Sequence, residues 1–281
     1  MTVGDPAGTE QGPAGSPSAP DRPDVAGNRA VGIGPAVATG ALGAPRHHFD
    51  ETGSTNDEAR RLARDGAPHG TIVTADAQTA GRGRQGRPWV VPPGQALLLS
   101  VVLRDLPQLA VLPLAVAVAV AETVGGDARI KWPNDVVRVE DDGGLRKFAG
   151  ILCEGRPTDG WAVAGIGLNV AIDVSEMPPE VAERAASMGL RPDEREAVLR
   201  RLLDRLAETI GWDPATLLER WSALDVLRGQ TIRWERPGAS GGGSGEAIGV
   251  DDAGRLLVRQ ADGKVARLDA GEVHLLRSPA A

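Results

Sequence analysis

Residues 78–89 read QTAGRGRQGRPW and come shortly after IVTAD at 72–76, which has the composition of a strand. The stretch alternates three glycines with three arginines and contains no acidic residue. Glycine lacks a Cβ, so such a loop can fold closely over a ligand, and arginine matches carboxylate and phosphate oxygens with a planar charged group. The chain as a whole has a formal charge of −7, so this positive charge is local. Composition alone leaves two interpretations open, an anion-binding loop and a solvated surface loop.

The remaining composition narrows the class of protein. With 281 residues, of which 41% are hydrophobic, the chain can form one or two globular domains with a buried core. An acidic balance, no tyrosine and two phenylalanines argue against nucleic-acid binding, which needs a basic face or aromatic stacking platforms. The single cysteine, Cys153, excludes an intramolecular disulfide. The sequence shows neither a long apolar run nor a signal-peptide pattern, so we expect a cytoplasmic protein that binds no membrane.

The composition changes along the chain and predicts three units. Residues 1–44 are rich in small and polar residues, and we expect a disordered tail without a DNA-binding head because such a segment buries little apolar surface. Residues 45–227 are the predicted catalytic domain. Residues 228–281 contain five short strand-like runs, TIRWE, EAIGV, RLLVRQ, KVARLD and EVHLL, typical of a small SH3-like β-barrel. The glycine-rich loop at 236–246 is predicted to be flexible.

The predicted catalytic domain is of the α+β class, with a mixed or antiparallel sheet and flanking helices. A strand near Arg46 leads into a helix over 56–65, for which Thr55 and Glu58 form a predicted capping box and Gly66 a stop signal. Further strands and helices follow from the apolar patterns: strands at 72–76, 96–103, near 129, 136–139, 145–155 and 161–172, and helices at 112–126, 193–210 and from Pro214 through Trp221.

Three further segments could carry chemistry. KWPND at 131–135 offers amide and carboxylate groups on a stiff turn, but an ordinary proline turn explains it equally well. Lys147 enters an apolar strand, where it is either an edge charge that reaches solvent or a cation in a pocket that suits a carboxylate or phosphate. GIGLNV at 165–170 lacks the full GxGxxG spacing and is equally typical of a strand end or bulge. The arginine-rich loop likewise lacks the P-loop pattern GxxxxGK[ST].

Other reactive residue types have no supporting pattern. His47 and His48 lack partners at metal-ligand spacing, so exposed histidines are the expectation and no residue is assigned to a metal. Cys153 lies among apolar residues and is expected to be a core residue.

Taken in order, these segments resemble the sequence pattern of biotin protein ligases, also called biotin–acetyl-CoA-carboxylase ligases. The resemblance covers roughly residues 46–277 and rests on six motifs: GSTN (53–56), QTAGRGRQGRPW (78–89), KWPND (131–135), RKFAGILCE (146–154), GIGLNV (165–170) and GEVHLLR (271–277). It implies a fold like that of class II aminoacyl-tRNA synthetases and biotin ligases. It also implies a two-step reaction in which biotin, ATP and Mg²⁺ give biotinyl-5′-AMP and pyrophosphate. The biotinyl group then passes to a lysine of a biotin carboxyl carrier domain of a carboxylase.

The resemblance also implies roles for individual residues. Those matched to biotin or biotinyl-AMP are Ser54, Thr55, Asn56, Gln78, Arg82, Gly83, Arg84 and Lys147. Of these, Lys147 and Arg84 are expected to be catalytic, because fixed positive charge is needed where the anionic carboxylate meets the α-phosphate. Nucleotide contacts are matched to Arg87, Trp89 and Asn169. Two features depart from the family pattern, Gln85 at a position that is often basic and the glycine-rich insert at 237–245.

Three alternatives remain. A lipoate or octanoate ligase shares the fold and a strand lysine, but lacks the GRGRxGR loop. A biotin-responsive repressor would need a DNA-binding head, which the sequence does not predict. A binding module without activity is the third. We expect a monomer or weak homodimer that binds a carrier domain and no nucleic acid.

Overall fold

The computed structural model describes residues 29–30, 42–106, 108–235, 242–269 and 272–276, which form two β-sheets and flanking helices. The larger sheet has eight strands: β1 (Arg29–Ala30), β2 (Arg46–Thr52), β3 (Ile72–Gln78), β4 (Ala96–Arg104), β5 (Arg129–Lys131), β6 (Asp135–Val139), β7 (Leu145–Arg156) and β8 (Trp161–Asn169). Their order is β1-β2-β3-β4-β8-β7-β6-β5, and only β2 and β3 are parallel. The predicted mixed sheet is therefore confirmed.

Helices cover both faces of this sheet. They are α1 (Thr55–Arg64), α2 (Leu112–Val124), α3 (Pro179–Ala182), α4 (Arg195–Ile210) and α5 (Pro214–Leu224). The central strand β4 is buried on both faces, which explains why almost all of its residues are apolar. Leu97, Leu99 and Val101 join the core cluster that also contains α2 and α4, whereas Val102 packs in the cluster of α1. Alternating side chains of one strand thus enter two different cores.

The structure corrects the predicted start of α1 and confirms its end. Ser54 is the N-cap residue, with extended φ and ψ of −159° and 129°, and its side chain accepts no capping hydrogen bond. Thr55 is therefore the first helical residue, and the predicted Thr55–Glu58 capping box is wrong. The Thr55 hydroxyl instead donates to Gln78 Oε1 on β3, which also accepts from the Thr55 N–H. Gly66, with φ of +88°, ends the helix as expected.

The second sheet is antiparallel and contains the five predicted short strands. They are β9 (Thr231–Glu235), β10 (Gly242–Val250), β11 (Leu256–Arg259), β12 (Val265–Leu268) and β13 (Glu272–Leu275), in the order β12-β11-β10-β9-β13. The prediction of a flexible loop is wrong for residues 242–246, which pair with β9. A Cβ at Gly243 would lie 2.4 Å from the Trp234 ring, so glycine permits this close pairing. The rest of that loop lies outside the described residues.

The two sheets are joined by a hydrogen bond from the KWPND segment. The Trp132 indole donates from Nε1 to the Gly254 carbonyl at 3.1 Å. Most of the predicted disordered tail lies outside the described residues, although Arg29 and Ala30 pair with β2. Among the described helices, none has the length and apolar character needed to span a membrane.

Candidate functional site

A pocket of about 670 Å³ brings together every residue that the sequence assigned to the site. It lies where α1, the loop after β3, β7 and β8 meet, and Val273 of the second sheet also lines it. The predicted residues that line it are Ser54, Thr55, Asn56, Gln78, Arg82, Gly83, Arg84, Arg87, Trp89, Lys147 and Asn169. Residues up to 115 positions apart in sequence (from Ser54 to Asn169) therefore share one cavity.

The inner end of the pocket is a buried hydrogen-bond network. The backbone N–H and hydroxyl of Thr55 both donate to Gln78 Oε1, at 2.7 and 3.1 Å. The Ser100 hydroxyl lies 2.9 Å from Thr55 Oγ1 and 2.6 Å from Asn56 Oδ1. Ser54, Thr55 and Asn56 are each at most 5% exposed. These groups fix one another's orientation, so the donors and acceptors of this end are preorganised.

Asn56 is held against the central strands at the point where β8 has a glycine. Its Nδ2 donates to the Leu152 carbonyl at 3.1 Å and to Glu154 Oε2 at 2.7 Å. A Cβ on Gly165 would lie only 2.1 Å from Asn56 Oδ1. The first glycine of GIGLNV is therefore inside a regular strand and makes room for Asn56, so the alternative of a strand end or bulge does not apply to it.

The glycine–arginine loop folds as a small hairpin at the outer end of the pocket. The N–H of Gly83 donates to the Arg87 carbonyl at 2.7 Å, and the N–H of Trp89 donates to the Gly81 carbonyl at 2.9 Å. Gln85 at the tip has φ of 58° and ψ of 24°, the left-handed region in which non-glycine residues are uncommon. The hairpin directs Trp89 into the pocket.

Trp89 lies across two glycines of the sheet. Added Cβ atoms would lie 2.6 Å from its ring at Gly167 and 3.1 Å from it at Gly150. The ring is also 5.3 Å from the Lys147 ammonium, a cation–π distance. Its Nε1 is buried and has no hydrogen-bond partner among the described residues. An indole on a flat, glycine-lined surface with a free donor can stack against a planar ligand.

Lys147 points into the pocket, which decides between the two interpretations of that residue. Its Nζ is 2.7 Å from Asp135 Oδ1, and both side chains are half-buried. Asp135 belongs to KWPND, so that segment supplies a carboxylate to the site as well as a turn. Burial lowers the pKa of the Arg84 guanidinium, and the Asp135 charge opposes this shift. A guanidinium stays charged under such conditions, so Arg84 and Lys147 both place positive charge near the Asp135 carboxylate.

Asn169 and the segment after β8 close the side of the pocket next to Lys147. Asn169 Nδ2 donates to the carbonyls of Lys147, at 3.2 Å, and Ala186, at 2.9 Å. Its Oδ1 is buried and no group in the described part of the chain bonds to it. The N–H of Lys147 in turn donates to the Arg184 carbonyl at 2.6 Å. Asn169 thus fixes the backbone beside Lys147 and offers one unused acceptor.

Arg82, which the resemblance matched to biotin or its adenylate, is paired within the protein. It donates from Nη1 to Asp57 Oδ2 at 2.6 Å and from Nη2 to Asp57 Oδ1 at 2.5 Å. This hydrogen bonding, more than any other influence, lowers the pKa of the Asp57 carboxyl. Both terminal nitrogens of Arg82 are therefore hydrogen-bonded to Asp57, although the Arg82 side chain lines the pocket.

Sequence reasoning missed three residues that organise the site: Asp57, Ser100 and Glu154. It singled out the carboxylate of KWPND, which is Asp135, but assigned it no role in the site. Ser100 is the polar residue of an otherwise apolar strand, a weak signal of a buried hydrogen bond. Asp57 and Glu154 gave no signal, since their partners are 25 and 98 residues away in sequence.

The histidines and the cysteine lie outside the pocket. His47 and His48 are half-buried in β2, so the expectation of exposed histidines is wrong. Ligand atoms of His48, Asp50 and Asp76 lie within 4.8 Å of one another, but Asp76 already pairs with Arg195 at 2.9 Å. Burial raises the pKa of the Cys153 thiol to about 12, and Cys153 packs against the main core, as expected for a core residue.

Two protein families match this chain, one over the part that forms the larger sheet and one over the part that forms the second sheet. Residues 49–172 match the biotin/lipoate A/B protein ligase family, and residues 229–276 match the biotin protein ligase C-terminal domain. The biotin–[acetyl-CoA-carboxylase] ligase of Mycobacterium tuberculosis is 36% identical over 242 residues, which cover 81% of this chain and 87% of that protein. This chain belongs to the biotin protein ligase family.

Further relatives agree with that assignment. The bifunctional ligase/repressor BirA of Bacillus subtilis is 32% identical over 249 residues, or 81% of this chain and 73% of its own length. The Aquifex aeolicus biotin protein ligase in complex with biotin and ATP superposes with a TM-score of 0.67 at 28% identity, over 83% of this chain and 99% of that one. The Leishmania major biotin protein ligase in complex with biotinyl-5-AMP gives 0.54 at 26% identity, over 80% and 98%. The chain is therefore an enzyme of this family, and its fold is the biotin ligase fold.

Proposed function

We propose that the chain is an ATP-dependent biotin–protein ligase. Biotin and ATP form biotinyl-5′-AMP with release of pyrophosphate, and the biotinyl group then passes to a lysine of a biotin carboxyl carrier domain. The observation that carries this proposal is a single pocket with a neutral, buried hydrogen-bonding end and a cationic end that contains Lys147. Relatives that are named as such ligases, and a relative solved with biotin and ATP, support the choice of substrates.

The buried end suits the uncharged ureido ring of biotin. That ring presents both N–H donors and a carbonyl acceptor, and the end offers hydroxyl, amide and backbone groups on Ser54, Thr55 and Gln78. The N-terminus of α1, where backbone N–H groups have no partner within the helix, also lies at this end. A neutral end of this kind does not require a charge to be buried, so it binds the ring and leaves the carboxylate to point toward Lys147.

The cationic end suits the chemical step. The biotin carboxylate attacks the α-phosphorus of ATP, an oxygen–phosphorus bond forms, and pyrophosphate leaves with its electron pair. Negative charge gathers on the α-phosphoryl oxygens during this step, and fixed cations lower its energy. Lys147 and Arg84 supply that charge, while Asp135 holds the Lys147 ammonium in place before substrates bind.

The nucleotide is proposed to lie beside Trp89, Arg87 and Asn169. Trp89 offers a ring face and Asn169 an unused acceptor, both suited to an adenine. Mg²⁺ in such enzymes is held by one or two carboxylates together with substrate phosphates, and Asp135 and Glu180 are carboxylates that line the pocket. The ion would neutralise charge on the leaving pyrophosphate.

In the second step the carrier lysine attacks the acyl carbonyl of biotinyl-AMP, forms an amide and releases AMP. An acyl-adenylate is hydrolysed by water, so the intermediate needs cover between the steps. The hairpin at 81–89 lies over the outer end of the pocket and is suited to be that cover.

A direct assay tests this proposal. The protein is mixed with Mg²⁺, ATP, a purified carrier domain and biotin, lipoate or octanoate in separate reactions, and label on the carrier is measured by mass. Incorporation of biotin alone is expected. Incorporation of lipoate or octanoate in place of biotin would make the chain a ligase for those acids, and no incorporation of any acid would contradict the ligase proposal.

A further inference from the structure

Four charged side chains form a network at the outer wall of the pocket, and its members come from three elements. Asp57 and Arg60 lie on α1, Glu154 lies on β7, and Arg82 belongs to the hairpin. Arg60 donates to Glu154 Oε1 at 2.8 Å and also contacts Asp57. Two cations and two carboxylates are therefore balanced where the hairpin meets the body of the domain.

The link between hairpin and helix is the Arg82–Asp57 pair. It is bidentate, with both distances at or below 2.6 Å, which is the strongest geometry that a guanidinium forms with a carboxylate. Arg82 is 29% exposed and Asp57 43% exposed, so water screens the pair only in part. Glu154 Oε2 lies 4.0 Å from Arg82 Nη2 and adds a weaker electrostatic attraction.

The position of Arg82 in the hairpin makes this link effective. Arg82 and Pro88 pair as an antiparallel β-bridge between the two arms of the hairpin. The hydrogen bond between Gly83 and Arg87 continues this pairing toward the tip. The tip and Trp89 are therefore connected through Arg82 to α1. A hairpin fastened at this residue keeps Arg84 and Trp89 over the cationic end of the pocket.

We propose that Asp57 is a positioning residue, which fastens the hairpin over the pocket through Arg82 and so slows the release of the acyl-adenylate. This inference rests on the proposed function and extends it to the retention of the intermediate. Asp57 does not touch the reacting atoms. With both terminal nitrogens of Arg82 bonded to Asp57, Arg84 and Lys147 remain among the cations that line the pocket.

The test compares Asp57→Asn with two matched variants. Asp57→Asn keeps the size of the side chain and removes its charge, whereas Asp57→Glu keeps the charge. Glu58→Gln removes the charge of the next residue on α1, which pairs with Arg61 at 3.2 Å on the exposed side of the helix. We expect biotinyl-AMP to dissociate roughly three- to ten-fold faster from Asp57→Asn, the range for a partly exposed but bidentate pair. Its rate of formation is expected to stay within about two-fold of the parent, because Asp57 contacts no reacting group.

Glu58→Gln is expected to release the intermediate at the parental rate, and Asp57→Glu to restore most of the retention. An unchanged release rate in Asp57→Asn, or an equal increase in Glu58→Gln, would overturn the proposal.

A second measurement is independent of catalysis. Amide hydrogen exchange of residues 81–89 in the ligand-free protein is expected to be faster in Asp57→Asn than in the parent and in Glu58→Gln. If the protein makes no biotinyl-AMP, the proposed function fails while this exchange still reports on the fastening. If the exchange is equal in all three proteins, the fastening fails whatever the reaction is.

Discussion

The two ends of the pocket are built differently. At the neutral end, Thr55, Asn56, Gln78 and Ser100 hydrogen-bond one another beside Ser54, and all of these side chains except the half-buried Gln78 are almost fully buried. At the cationic end, which contains Arg84, Trp89, Asp135 and Lys147, charges face a half-open space and one of the protein's own carboxylates holds the lysine. The neutral end is part of the scaffold and is formed before any ligand arrives. In the proposed reaction, the cationic end exchanges an internal ion pair for contacts with phosphate.

This difference predicts that substitutions at the cationic end change the rate of biotinyl-AMP formation. Substitutions at the neutral end should change the free energy of unfolding and the affinity for biotin. Lys147→Ala should have the largest effect. It removes a charge that is needed as the phosphate becomes more negative, so formation of biotinyl-AMP should fall by about a hundred- to a thousand-fold. Pyrophosphate release under single-turnover conditions measures the rate of biotinyl-AMP formation.

Lys264→Ala is the control for Lys147→Ala, because Lys264 is exposed and pairs only with Asp262 among its described partners. The thermal unfolding temperature of Lys147→Ala should stay close to that of the parent. Parental rates in Lys147→Ala would remove Lys147 from the proposed mechanism.

Gly165→Ala tests the neutral end. The new Cβ would lie 2.1 Å from Asn56 Oδ1, in a buried network that cannot move aside without losing hydrogen bonds. We expect a loss of about 2 to 3 kcal/mol in the free energy of unfolding, as for other overpacked cores, together with weaker biotin binding. Gly53→Ala is the matched control, because a Cβ there meets nothing within 4 Å. Equal urea midpoints for the two variants would show that the neutral end is not rigid.

Asp225 extends the comparison to a buried carboxylate that is not held by a lysine. Its Oδ1 accepts from the Leu227 N–H at 2.9 Å, and its Oδ2 is buried with no partner in the ranges that the structure describes. Burial raises the pKa of this carboxyl to about 6. The folded protein then keeps this proton at a pH where the unfolded chain has lost it. The contribution to stability is therefore present below about pH 4 and is lost as the pH rises toward about 6.

Relative to Asp225→Asn, the free energy of unfolding of the parent should fall by about 2 kcal/mol between about pH 4 and pH 7. Urea unfolding at a series of pH values measures this, with the exposed Asp252→Asn as the control. A difference between parent and Asp225→Asn that does not vary with pH would show that Asp225 is not a buried acid.

Arg84→Gly should have the smallest effect of these changes. It removes one of the two cations and leaves Lys147, so we expect biotinyl-AMP to dissociate about ten-fold faster. Gln85→Gly is the matched control, because it introduces a glycine at a residue that already has a positive φ and removes no charge. If both variants release the intermediate equally fast, flexibility of the hairpin and not the Arg84 charge controls retention.

Local sequence patterns predicted much of this molecule. Alternation and apolar runs predicted the strands and helices, and the family resemblance carried by the ordered motifs implied which residues would share a pocket. The patterns failed where a long-range contact decides the structure. Thr55 resembled a cap because its hydroxyl group is suited to one, but Gln78 on a neighbouring strand takes that hydroxyl. Arg82 resembled a free cation because Asp57 is distant in sequence.

The hydrogen bond between Trp132 and Gly254 limits which segments of a relative can replace the second sheet of this chain. Trp132 is two residues from Asn134 and three from Asp135, so a turn of the second sheet is fastened to the segment that supplies the carboxylate of the pocket. The two sheets are therefore not interchangeable modules. A hybrid that takes residues 229–276 from a relative should keep its function only if the incoming turn places a carbonyl where Gly254 places its own.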